Sequence, residues 1–353
     1  MKRFWTRFIG WLVIAVLLQS AAAAGVRFTM ARWSNAEVAI WSKQTAYVRS
    51  VPGEGEYAPL LILGDSRPFG GIRHSDLVPG ARSLALPGSS AIDAYYQLEN
   101  YLERYPAPRL VILSIAPEHM VFAEQTFFDW SVRAGSVDLR QAREVIELRR
   151  EVGGYLRPFG LDYWADRVLL RLYDLKMFAF YRSILLTLNP KSVQSARELS
   201  MKLDNRYAYD YGTDRRRSKE LNAEARMGRF DPDPTLDAYL LKIFELAESR
   251  KVLVAYEVMP MNEASYEALR PQYKKDFENY LRYAAKRAPA NTYVHVGIPR
   301  YPNEFFSDPS HLNVRGADRF TRVLARRYEK ILREVRERPR VPDGWSERGI
   351  VLR

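Results

Sequence analysis

Ser66 closes the stretch "LILGDS" at 61–66, and Asp308 and His311 stand three residues apart in "SDPSHLN" at 307–313. A serine hydroxyl becomes a useful nucleophile only when an imidazole takes its proton and an acid orients that imidazole. The chain has four histidines, so the choice of base is narrow. His74 follows the turn after Ser66 and reads as a surface residue, while His295 lies inside "YVHV" and reads as a packed strand residue. His119 follows the apolar run at 110–115. His311 alone has an acid at a spacing that puts both side chains on one side of a single turn, with Pro309 restricting that turn. The bland alternative is that Ser66 merely caps a helix and that Asp308 caps a helix beginning near Leu312.

Those residues need elements to position them. Near-continuous apolar runs at 60–63 "LLIL", 110–115 "LVILSI", 252–258 "VLVAYEV" and 293–296 "YVHV" predict buried strands of a parallel sheet, with helices between them. Ser89 and Ser90 offer N-caps for a helix through Ile92, Tyr96 and Leu102 that Pro106 closes. Another helix spans about Leu236 to Arg250, and a last one carries Phe320, Val323, Leu324, Tyr328, Ile331 and Leu332 on its inner face. Gly64 lets the chain turn sharply after the first strand, and in open parallel sheets ligands lie beyond the carboxyl ends of the strands. The backbone N–H groups of Ser66 and Arg67 would then face that crevice as oxyanion donors.

The 353 residues, 47% hydrophobic and 13% aromatic, describe a globular body. The absence of cysteine excludes disulfides, thiol nucleophiles and cysteine-based metal sites. Neither a metal nor a cofactor is expected. A net charge of +12 suits a nucleic acid, an anionic membrane or an acidic polymer. Lys2, Arg3 and Arg7 precede an apolar segment over 8–26, close to the roughly 20 residues that cross a bilayer. It reads as an export signal. Cleavage after Ala24 and retention as a single-pass anchor are both open, and either puts the body on the extracytoplasmic (periplasmic) side, where no nucleic-acid partner is expected.

The expected organisation is a signal-anchor over 1–26, a stalk or packing arm over 27–57, an α/β domain over 58–337 and a tail over 338–353. Between about 120 and 235 the alternation lapses into a helical, aromatic and basic insertion. Its run Arg215, Arg216 and Arg217 reads as a solvated loop or, if functional, a contact for anionic lipid or polymer.

On "GDS" with Ser66, Gly88 in "LALPGSS" and "DPSH" with Asp308 and His311, the sequence resembles the SGNH (GDSL-like) hydrolase superfamily over most of 58–335. The resemblance implies a three-layer α/β/α sandwich (SGNH/flavodoxin-like) with a central parallel sheet, Ser66 as nucleophile, His311 as base, Asp308 as its acid, and Gly88 as an oxyanion donor beside Ser66. The third block departs: "LSIAPEHM" stands where esterases of the superfamily carry Gly-x-Asn-Asp, and Glu118 or His119 could take the place of the missing asparagine and touch substrate. Together with the N-terminal segment, the pattern is similar to extracytoplasmic O-acetyltransferases of alginate and cell-wall polysaccharides and to the teichoic-acid D-alanyl transfer protein. That implies acyl transfer to a polysaccharide acceptor beside a membrane-bound O-acyltransferase. A carbohydrate esterase and a silent binding or assembly protein are the other two readings.

Overall fold

The computed structural model describes residues 5, 10, 11, 14, 36–52, 57–121, 131, 135–153 and 220–337. Five parallel strands form the central sheet: β1 (Leu60–Gly64), β2 (Arg82–Ser83), β3 (Leu110–Ser114), β4 (Leu253–Tyr256) and β6 (Thr292–Val294), in the order β2-β1-β3-β4-β6. β1 pairs with β3 from Leu60 opposite Leu110 to Gly64 opposite Ser114. A separate two-stranded parallel sheet joins β5 (Met261–Asn262) to β7 (Arg300–Tyr301).

β1, β3 and β4 are almost wholly apolar because both of their faces are covered. Leu61, Leu63, Val111 and Leu113 enter one core, while Leu60, Ile62, Leu110 and Ile112 enter the other, as the period of two along a strand requires. Each such leucine or isoleucine contributes about 1.5–3 kcal/mol on full burial. The first core is closed by α4 (Ala91–Arg104), α5 (Leu139–Val152), α6 (Pro234–Ser249) and α8 (Pro271–Arg287). The second is closed by α2 (Ser66–Gly71), α3 (His74–Leu77), α9 (Val314–Arg327) and α10 (Glu329–Glu337). A short α7 (Glu263–Ala268) lies between β5 and α8.

Several expectations are met. Ser90 is the N-cap of α4, its N–H donating to Asp93 Oδ2 at 3.0 Å, and the helix ends just before Pro106. Others are corrected. The last helix is two, because Tyr328 leaves the helical conformation and caps α9 before α10 begins. His74 is fully buried rather than superficial, since α3 turns its first residue into the second core's side of the sheet. His295 lies one residue beyond β6 and is half-buried, because the strand stops at Val294.

Part of the expected stalk or arm over 27–57 is α1 (Ala36–Arg49), which packs on α4. Trp41 is fully buried and its Nε1–H donates to the Pro87 carbonyl at 2.9 Å. Gln44 Nε2 donates to the Ala85 carbonyl at 3.0 Å, so α1 grips the loop that carries Gly88. Among the described residues no helix is long and apolar enough to cross a membrane. The apolar segment over 8–26 lies outside them except for Gly10, Trp11 and Ile14, which are helical. The 338–353 tail, the Arg215–Arg217 run and most of the 120–235 insertion also lie outside them.

Candidate functional site

The strand order reverses between β1 and β3, leaving a crevice at their carboxyl ends. Ser66 follows β1 directly as the first residue of α2 and is half-buried. The turn that places it depends on Gly64, whose φ is +131°; a Cβ there would lie 1.7 Å from the Ser114 carbonyl oxygen of the paired strand. Only glycine lets β1 and β3 approach so closely just before the serine.

The loop from β7 to α9 brings the base. Asn313 caps α9, its Oδ1 accepting from Gly316 N at 3.0 Å while its Nδ2 donates to the Glu304 carbonyl at 2.8 Å. Phe306 and Leu312 form an antiparallel bridge, and Ser307 N donates to the His311 carbonyl at 3.0 Å. At the loop's tip, Asp308 Oδ1 accepts from Ser310 N at 2.8 Å and from His311 N at 2.9 Å. Its Oδ2 meets His311 Nδ1 at 2.7 Å. The other ring nitrogen, Nε2, lies 2.8 Å from Ser66 Oγ, joining residues 245 apart in sequence.

Burial works against the Asp308 carboxylate, but the His311 ring and the two backbone N–H groups outweigh it and hold the carboxyl below its ordinary range. An ionised Asp308 accepts the Nδ1 proton, which leaves Nε2 with a lone pair toward the serine. The arrangement can therefore take the Ser66 proton as Oγ attacks an electrophile. Neither residue is the helix cap of the bland alternative: Asp65 caps α2 and Asn313 caps α9.

Gly88 occupies a turn with φ +71° at the same end of the sheet. Leu86 N and Ser89 Oγ both donate to the Gly64 carbonyl, at 2.8 Å and 2.7 Å, tying that turn to the end of β1. The expectation for Arg67 is corrected. Its backbone N–H donates to Asp65 Oδ1 at 2.9 Å, because the first amides of a helix take the capping carboxylate, so it is committed to the turn rather than to an oxyanion.

Glu118 and His119 sit in a 3₁₀ turn (Pro117–Met120) just past β3. His119 Nδ1 meets Asp65 Oδ2 at 3.0 Å, and Ala116 N donates to the same oxygen at 2.6 Å. Glu118 Oε1 lies 3.4 Å from the buried Arg67 guanidinium, whose Nη2 also approaches Glu224 Oε1 at 2.5 Å without hydrogen-bond alignment. Burial pushes the fully buried Glu224 above the usual carboxylate range, more than Arg67 draws it down. Asp65, Glu224 and Asn313 escape notice in the sequence. The "GDS" stretch and the Asn-x-x-Gly spacing carried a capping signal for Asp65 and Asn313, whereas nothing local marks Glu224.

Compared with known proteins, the chain matches no family model and no curated protein.

Proposed function

We propose that the chain is an SGNH-type serine acyltransferase that works outside the cytoplasm and moves an acyl group, in the first instance acetyl, onto hydroxyls of a polysaccharide. The observation that carries this reading is the 2.8 Å contact between His311 Nε2 and Ser66 Oγ, backed by Asp308 at 2.7 Å from Nδ1. The parallel order β2-β1-β3-β4-β6, with helices on both faces, supports the flavodoxin-like sandwich of that superfamily.

In this mechanism Ser66 Oγ attacks the carbonyl carbon of the donor while its proton passes to His311 Nε2. Asp308 stabilises the imidazolium that forms. The tetrahedral oxyanion is met by the backbone N–H groups of Ser66 and Gly88. Collapse expels the leaving group, which takes the proton from His311, and an acyl-Ser66 ester remains. A sugar hydroxyl then gives its proton to His311, attacks the ester and leaves acylated, restoring the serine.

Anchorage through 8–26 would keep the site beside a membrane-bound O-acyltransferase that delivers the acyl group. Hydrolysis is the second reading, favoured by the solvent access of the dyad: the Asp308 side chain is 40% exposed and that of His311 20%. Water reaching the acyl-Ser66 ester makes the same site an esterase.

The test supplies the purified full chain with p-nitrophenyl acetate and a neutral or uronic-acid oligosaccharide, and measures acetylated sugar against free acetate. We expect more acetylated sugar than acetate, with both lost in Ser66→Ala. Acetate alone assigns the esterase, and equal turnover by Ser66→Ala removes the serine mechanism.

A further inference from the structure

Ser66 lies between two residues of a second charged system. From the start of α2, Arg67 N donates to Asp65 Oδ1 at 2.9 Å. Asp65 Oδ2 meets His119 Nδ1 at 3.0 Å. His119 Nε2 stands 3.9 Å from Glu118 Oε1, and Glu118 Oε1 returns to the Arg67 guanidinium at 3.4 Å. Four side chains thus make a closed circuit through the backbone on either side of the nucleophile, bridging the ends of β1 and β3.

We propose that His119 is a positioning residue for Ser66: its doubly protonated ring clamps Asp65 on one side and Glu118 on the other, and loss of that proton opens the circuit. This rests on the acyl-transfer reading of Ser66.

The physical reason lies in the two faces of the ring. Nδ1 faces a fully buried carboxylate that has no route to solvent, so it keeps its proton. Nε2 faces another carboxylate. A protonated Nε2 attracts Glu118, whereas a neutral ring presents a lone pair to it and leaves Glu118 to Arg67 alone. The groups facing this system are Asp65 from the β1–α2 turn, Arg67 from α2 with Glu224 behind it, Glu118 from the same 3₁₀ turn, Tyr256 from β4, which senses Asp65, and Tyr273 from α8, which senses Glu224, Arg67 and Glu118. Burial disfavours the charged His119 ring, but Asp65 and Glu118 outweigh burial and the repulsion from Arg67, pushing the imidazole above its ordinary range.

One proton-controlled limb of serine reactivity follows from this circuit: on the alkaline side His119 loses its proton and the serine turn slackens. His119→Gln separates a switch from a strut, because the amide still donates to Asp65 and cannot titrate in this range.

The experiment follows the rate of Ser66 labelling by a fluorophosphonate from pH 5 to 10 in the full chain, in His119→Gln and in His119→Ala. We expect labelling of the native chain to fall on the alkaline side, an alkaline plateau for His119→Gln, and a loss of about tenfold to a hundredfold for His119→Ala, the span of a hydrogen bond to a charged group. An alkaline limb unchanged in His119→Gln overturns the inference. A native chain that labels nowhere removes the acyl-transfer reading instead. In that case amide NMR decides: the Arg67 and Ala116 resonances must shift with the midpoint of the His119 ring, and amides that ignore it overturn the inference on their own.

Discussion

Asp308 holds His311 twice, by its backbone and by its ring. One carboxylate oxygen takes the backbone N–H groups of Ser310 and His311, at 2.8 Å and 2.9 Å, and the other meets the imidazole Nδ1 at 2.7 Å. The acid therefore fixes the loop's shape and the ring's tautomer together. Asp308→Asn keeps an acceptor for the backbone but can donate to Nδ1, turning the ring to the tautomer with a proton on Nε2. We expect serine-dependent turnover to fall about a thousandfold or more with the fold intact, measured as kcat/KM beside a circular dichroism spectrum.

Asn313 links the stability of α9 to the site. It caps the helix through Gly316 N and holds the Glu304 carbonyl at the start of the catalytic loop. Asn313→Ala should cost about 1–2 kcal/mol of stability, and labelling of Ser66 should fall by more than that loss of folded protein explains. Chemical unfolding and labelling rates on one sample check both. Retained labelling at reduced stability would confine Asn313 to a capping role.

Gly64→Ala meets a wall. The new Cβ would overlap the Ser114 carbonyl of the paired strand, at a φ of +131° that side chains rarely adopt. We expect a loss of more than about 3 kcal/mol, read from the urea midpoint. A midpoint within error of the native chain would show that β1 and β3 can part there without cost.

The Asp65–His119 pair sets a pH window for stability. Burial raises Asp65, but its bonds to His119 and the charge of Arg67 win and depress it; its contribution is present above the unfolded aspartate range and lost as pH falls through the depressed folded value. His119 is raised; its contribution is complete below the unfolded histidine range and lost as pH rises through the raised folded value. Unfolding free energy should therefore be greatest between those limits. At neutral pH Asp65→Ala should cost about 3–5 kcal/mol, flattening both flanks. A flank that survives in Asp65→Ala belongs to other groups.

The sequence made the strands legible where burial on both faces demanded unbroken apolar runs, as in β1 and β3. β2 is two residues, Arg82 and Ser83, and β5 and β7 are equally short, so neither periodicity nor composition could mark them. α1 was read only as an arm because Trp41 and Tyr47 showed no helical stripe. Ser66, Asp308 and His311 were legible because each lies in a short motif whose chemistry is local. The charged groups behind them were not: Arg67 meets Glu224 across more than 150 residues, and only the fold brings that carboxylate to the residue after the serine. His74 was misread because a short polar stretch, "RHSDL", looks superficial until α9 packs over it.

The 2.8 Å contact between Ser66 and His311 is tested most directly by the site of covalent modification. The full chain is treated with a fluorophosphonate and its peptides are mapped by mass spectrometry. We expect one adduct, on Ser66, that disappears in His311→Ala while that variant remains folded. An unmodified Ser66 in folded native protein, or an adduct that forms equally fast without His311, would contradict an activated serine.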